Sequence, residues 1–188
     1  MKRALSYLVI VLLLSGAIVA AEGPIDKGSM IIEGDVYLQH QSGELWDNWQ
    51  GEGRTTIAIS PSLGFFVTNG FMVGGQLYFL GISQGTADLT SVIIGPVVGY
   101  YFNTDPTRTR VKGSVYPYVA GGFGFGNISN GDSADQFSIG MVGGAVFMVS
   151  NAVGVDVGLR LQSDRLSNGG SASGTTIWFG AGITAFIW

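Results

Sequence analysis

His40, the single histidine of the chain, stands two residues before Ser42, with Glu44 and Glu52 close behind. Histidine, serine and a carboxylate are the parts of a hydrolytic site. The serine hydroxyl becomes nucleophilic only when a general base within hydrogen-bond reach takes its proton. The competing reading is an exposed histidine beside a serine that begins a loop. We adopt the second, because three polar residue types near a loop coincide often, and no catalytic residue is assigned.

Other chemistry is thinly represented. The run GGFGFG at 121–126 nearly matches a nucleotide-binding fingerprint but lies inside an extended, alternating segment with no helix after it. It reads better as small residues that let strands and side chains approach. The chain has no cysteine, which removes thiolate metal sites, disulfides and a lipoprotein anchor. No cofactor or metal is assigned.

The elements that would position any such groups follow from periodicity. Val153, Val155, Val157, Leu159 and Leu161 share one face of an extended segment, and Asp156, Arg160 and Gln162 share the other. Alternation of this kind marks a strand with unlike surroundings on its two sides. The pattern recurs. Ile32, Val36 and Leu38 oppose Glu33, Asp35, Tyr37 and Gln39; Ile57, Ile59, Leu63 and Phe65 oppose Ala58, Ser60 and Ser62; Val73, Leu77 and Phe79 oppose Gly74, Gln76 and Tyr78. Val115, Val119, Phe123 and Phe125 oppose Tyr116 and Tyr118, and Phe137, Ile139, Met141, Ala145 and Phe147 alternate with Gln136, Ser138, Gly140 and Gly144. With 92–102 and the closing stretch 174–188 the count is eight strands.

One face of these strands is almost continuously apolar, which would make a soluble protein aggregate. The fold class expected is all-β, an eight-stranded antiparallel up-and-down transmembrane β-barrel with lipid outside and polar groups inside. A small soluble barrel or sandwich is the alternative. Short turns at 68–70 and 150–151 alternate with longer polar stretches at 42–53, 84–88, 127–135 and 164–173, as short periplasmic turns alternate with external loops. The connection 105–113 is long although it falls on the periplasmic side, and it holds Arg108, Arg110 and Lys112. These three either contact anionic headgroups or the cell wall, or form a solvated turn.

Lys2 and Arg3, an apolar run 5–18 and Val19-Ala20-Ala21 form a secretory signal peptide, expected to be removed after Ala21. Residues 22–188 then form one barrel domain. They keep seven basic residues against thirteen acidic ones, a net charge of −6 that disfavours a nucleic-acid partner.

Glu33, Asp35, Gln39, Gln76, Tyr78, Tyr116, Tyr118, Asp156 and Arg160 are expected inside the barrel. An eight-stranded interior is just wide enough for side chains to fill. Buried charges persist only when paired, so a structural plug centred on Arg160 with Asp35 or Glu33 is expected, against a narrow proton or ion path. Tyr37, Trp46, Trp49 and Tyr101 are expected in interfacial aromatic girdles. Trp46 and Trp49 could instead dock a ligand in the longest loop.

ISPSLGFFVTNGFMVGGQLYF (59–79), IGPVVGYYF (94–102), VYPYVAGGFGFG (115–126) and GGAVFMVSNAVGVDVGLRLQ (143–162) resemble the outer membrane protein β-barrel domain family of small eight-stranded barrels. The resemblance implies location in the bacterial outer membrane, with a terminal aromatic read by the barrel-assembly machinery. That role falls to Trp188 with Phe186. The chain departs from the family by ending in Trp rather than Phe. Its last strand is also irregular: the set expected to face lipid (Gly180, Gly182, Thr184, Phe186, Trp188) is poorly apolar, while Ile177, Phe179, Ile183 and Ile187 lie opposite. Either a bulge shifts the register or part of the barrel floor is apolar.

The function expected is a non-enzymatic structural or surface role with a filled lumen. The alternatives are a lipid-modifying enzyme and a narrow, porin-like transporter of small or apolar solutes. The partners expected are outer-membrane lipids and lipopolysaccharide, plus the assembly machinery during biogenesis, for a protein that is a monomer. Acidic loop residues could share divalent cations with lipopolysaccharide, although no calcium-binding loop is present.

Overall fold

The computed structural model describes residues 21–41, 52–103, 111–130, 132–167 and 171–188. Eight strands follow one another: β1 (Met30–Gln41), β2 (Arg54–Thr68), β3 (Phe71–Gln84), β4 (Ala87–Tyr101), β5 (Val115–Asn130), β6 (Asp132–Met148), β7 (Val153–Ser167) and β8 (Ser171–Ile187). Each pairs antiparallel with its neighbour, and β8 returns to β1 to close the barrel. Closure removes the free edges that an open sheet would leave.

Outward-facing positions carry apolar side chains over runs of nine to eleven residues, among them 57–65, 71–79, 92–102, 115–125, 137–147, 153–161 and 177–187. That is the length a tilted strand needs to cross a hydrocarbon core. Beyond each run, at the end of the barrel away from the chain termini, the same face turns polar with Thr55, Ser83, Thr90, Asn127, Asp135, Ser163 and Thr175. The strands therefore continue past the apolar belt as a polar collar.

This corrects three connections read from the sequence as loops. The β3–β4 ladder runs to Gln84↔Ala87, leaving Gly85 and Thr86 as a two-residue turn with Gly85 at φ 61°. The β5–β6 ladder reaches Asn130↔Asp132, and β7–β8 reaches Ser167↔Ser171. Polarity was read as loop character, but a strand that leaves the belt is solvated on its outer face and becomes polar without ceasing to pair. The stretch 42–51 and the basic residues Arg108 and Arg110 lie outside the described residues; Lys112 is exposed.

The last strand also inverts. Ile177, Phe179, Ile183 and Ile187 point outward, with Phe179 67 % exposed, while Thr184 and Phe186 are buried inside. The β7–β8 register is unbroken from Val153↔Ala185 to Ser167↔Ser171, so no bulge is present there. The register irregularity of this sheet region falls instead between Phe66 and Thr68, in β2. Of the two explanations for the irregular β8, the apolar floor is the one observed: Ile31, Phe66, Met72, Tyr101, Tyr116, Val146, Met148 and Phe186 form one buried cluster inside the barrel.

Residues 23–29 cross beneath that cluster and insert Ile25 into it. Backbone bonds fasten this strap to the turn and to β2: Gly70 N–H donates to Ile25 O at 2.8 Å, and Gly28 N–H to Phe66 O at 2.9 Å. Lys27 N–H donates to Asn69 Oδ1 at 3.0 Å. Gly28 and Gly70 have φ of 100° and 78°, which only glycine adopts without strain.

Candidate functional site: the filled lumen

Side chains on the inner face organise into three levels. The lowest is the aromatic floor. Tyr101 stacks on Tyr118 (centroids 5.0 Å, 17°) and meets Phe66 edge-on at 5.4 Å, while Phe66 and Phe186 stack at 6.4 Å. Offset and edge-on contacts of this kind add to the burial of the rings themselves.

The middle level holds the charges. Arg160 Nη2 lies 3.6 Å from Asp35 Oδ2, and its Nη1 donates to Ser60 Oγ at 2.8 Å. Glu33 is not the partner of Arg160. It accepts hydrogen bonds from the Tyr101 hydroxyl and, at 2.9 Å, from Ser62 Oγ. Asp156 Oδ2 accepts from the Tyr118 hydroxyl at 2.9 Å, whereas its Oδ1 is buried with no hydrogen-bond partner. Glycines make room for these groups. A Cβ on Gly182 would meet Asp35 Oδ1 at 2.2 Å, and Cβ atoms on Gly144 and Gly158 would each come within 3.0 Å of the Tyr118 side chain.

The upper level is a polar ring around Asp164. Its Oδ1 accepts from Gln136 Nε2 at 3.0 Å, from Gln162 Nε2 at 2.9 Å and from the Ser138 hydroxyl, and Ser91 Oγ donates to Gln136 Oε1 at 2.6 Å. Between the two levels Tyr78 stacks on Trp178 at 5.7 Å, with the Arg160 guanidinium 5.8 Å from the Trp178 ring centre.

The residues expected inside are thus distributed: Glu33, Asp35, Asp156 and Arg160 share the charged level, Tyr116 and Tyr118 join the floor, and Tyr78 and Gln76 stand above. Gln39 is placed by its pairing with Thr56, and His40 by its pairing with Thr55. Ser42, Glu44, Trp46 and Trp49 lie outside the described residues. Tyr37 and Tyr101 do not belong to a girdle. Tyr37 packs inward against the cluster of Ala58, Tyr78 and Ile93, and Tyr101 is 1 % exposed, because its register with Tyr118 turns it to the lumen. The outward aromatics include Tyr100 and Phe102, 4.9 Å apart, and on the far rim Phe123, Phe125 and Phe137. Trp188 is partly exposed.

Sequence reasoning missed Asp164 and Trp178. Asp164 continues the inward period of Asp156, Arg160 and Gln162, and that period was the signal available.

The decisive observation is the closed eight-strand ladder with apolar side chains out and charge within. This is the fold of small outer-membrane barrels. Among solved structures it is similar to Neisserial surface protein A, NspA (TM-score 0.57, 15 % identity, covering 85 % of this chain and 97 % of that one). It is also similar to the outer membrane protein OprG from Pseudomonas aeruginosa (TM-score 0.52, 10 % identity, 89 % and 99 % covered). No family model and no curated protein sequence matches the chain, so the family resemblance stands at the level of the fold.

Proposed function

We propose that this chain is an integral barrel of the bacterial outer membrane, exported by a cleaved signal peptide, non-enzymatic, with a structural or surface role and a lumen closed to flow. The observation that carries the reading is the packing of that lumen. Around the charged level the free spaces are about 20 and 30 Å³, the size of single water molecules, and the aromatic floor and strap lie below. Outer-membrane lipid and lipopolysaccharide surround the apolar belt, and the barrel is a monomer. Trp188 and Phe186 form the end that the assembly machinery reads; the inward direction of Phe186 means it serves that role before the barrel closes.

Heat-modifiability on gels, membrane fractionation and planar-bilayer recording test this together. The expected result is a heat-modifiable, membrane-bound protein without steady conductance. A large steady conductance would remove the closed lumen, and a soluble mature protein would remove the barrel reading.

A further inference from the structure

The turn beneath the barrel carries a reactive pair. Asn69 is followed by Gly70, and a glycine nitrogen attacks the preceding asparagine side chain more readily than any other, because no Cβ stands in the way. The Gly70 nitrogen gives up its proton and bonds to Asn69 Cγ. The Cγ–Nδ2 bond breaks, ammonia leaves, and a cyclic imide remains. Water opens that ring at either carbonyl, so the product is aspartate or, with the main chain rerouted through the side chain, isoaspartate. No oxidation state changes, and water is the only co-reactant.

In the folded chain the strap engages both reacting groups. Asn69 is exposed, but Gly70 is buried, and its N–H donates to Ile25 O at 2.8 Å, which keeps the proton from a base. Asn69 Oδ1 accepts from Lys27 N–H at 3.0 Å, which turns the side chain toward the strap. One such donor polarises the carbonyl, yet a nucleophile whose proton is engaged makes no use of it. Both guards are main-chain atoms of the strap, two residues apart. The strap is itself held by Ile25, buried in the floor, and by Gly28, whose φ of 100° lets its N–H reach Phe66 O.

The dependence also runs the other way. Asn69 and Gly70 form a two-residue turn that closes the rung Thr68↔Phe71, and Gly70 O accepts from Tyr101 N–H at 2.8 Å. Isoaspartate adds one methylene to the main chain just before the Gly70 nitrogen. The N–H that Ile25 O requires is then out of place, whereas aspartate leaves the main chain as it was and still offers Lys27 an acceptor.

We infer that Asn69–Gly70 is a spontaneous modification site guarded by the strap: it deamidates when residues 25–27 leave the turn, and the isoaspartate product keeps them from returning. The periplasmic end of the barrel thus records its own opening.

The test uses the full mature chain in phosphatidylcholine vesicles at mildly alkaline pH, with deamidation followed by peptide mass spectrometry on the heat-modifiable, folded band. Asn130–Gly131 and Asn168–Gly169 repeat the dipeptide in the β5–β6 and β7–β8 connections and serve as internal references. Ile25→Ala removes the anchor and Gly28→Ala strains the strap, so each should speed deamidation at Asn69 about tenfold or more while both references keep the parent rate. For the return step, Asn130→Gln and Asn168→Gln are added, the chain is aged in urea to convert Asn69, and it is refolded into vesicles. The isoaspartate form should be cut by trypsin after Lys27, and Asn69→Asp should resist as the parent does. An Asn69 rate unchanged in both strap variants would overturn the guard, and so would a folded parent that deamidates there as fast as the chain in urea. Equal resistance of the isoaspartate form to trypsin would overturn the one-way step.

Discussion

Asp35 and Asp156 flank Gly182 in a single row of the sheet: Gly182 pairs with Asp35 on β1 and with Asp156 on β7. Two carboxylates two strands apart share the space above a residue that has no side chain, and one guanidinium, Arg160, answers Asp35 from two inward positions further along β7, past Gly158.

Gly182→Ala is expected to destabilise the barrel by about 1–3 kcal/mol, the usual cost of overpacking a filled interior. The new methyl would occupy the place of Asp35 Oδ1 and turn that carboxylate away from Arg160. Urea titration in vesicles measures the loss. The same change at outward-facing Gly75, whose nearest Cβ neighbour would be 3.8 Å away, should cost well under half as much.

The two aspartates should respond in opposite senses. Asp35→Asn leaves the guanidinium without its counter-charge, which for a buried pair costs roughly 3–5 kcal/mol, less here because Asp35 is partly exposed. Asp156→Asn keeps an acceptor for Tyr118 and removes a charge whose Oδ1 is already without a partner, so stability should hold or rise by about 1 kcal/mol. Unfolding midpoints of the two variants, compared side by side, decide it.

Adjacent tyrosines give a further contrast. Tyr101→Phe removes a hydroxyl that bonds Glu33 and should destabilise by about 1–3 kcal/mol. Tyr100→Phe, on the outer face, should change the midpoint by less than about 0.5 kcal/mol.

Phe186→Ala opens the floor, where ring contacts to Phe66 and Tyr116 are lost, and should cost about 3–5 kcal/mol. Under the closed-lumen reading it should also admit brief conductance events in planar bilayers that the parent lacks. Combining it with Ile25→Ala should make them longer, since the strap residue below is removed as well.

Most of the fold was legible because six strands keep a period of two with unlike faces. β8 was not, because both of its faces carry large apolar groups: one meets lipid and the other ends in the floor at Phe186. Gly180 and Gly182 looked like poor lipid-facing residues, yet both face inward, and Gly182 is a clearing for the Asp35 carboxylate of the neighbouring strand, a relation visible only across the sheet. The Tyr100-Tyr101-Phe102 run offers no alternation of type, so only pairing with Tyr118 tells which ring turns inward. Asp164 was read as loop because the polarity around it outweighed the inward period it shares with Asp156, Arg160 and Gln162.

The seven-rung β1–β8 ladder joins segments at opposite ends of the chain, whereas every other ladder joins consecutive strands. Hairpins assemble locally, but this join must bring distant residues together with the fewest rungs to hold them. It is thus the last stitch as the cylinder forms and the first to loosen under denaturant. Amide protons of Ile177 and Phe179 should exchange earliest among the belt residues of β8, and the cylinder should unroll from that line while the β5–β6 hairpin is still intact.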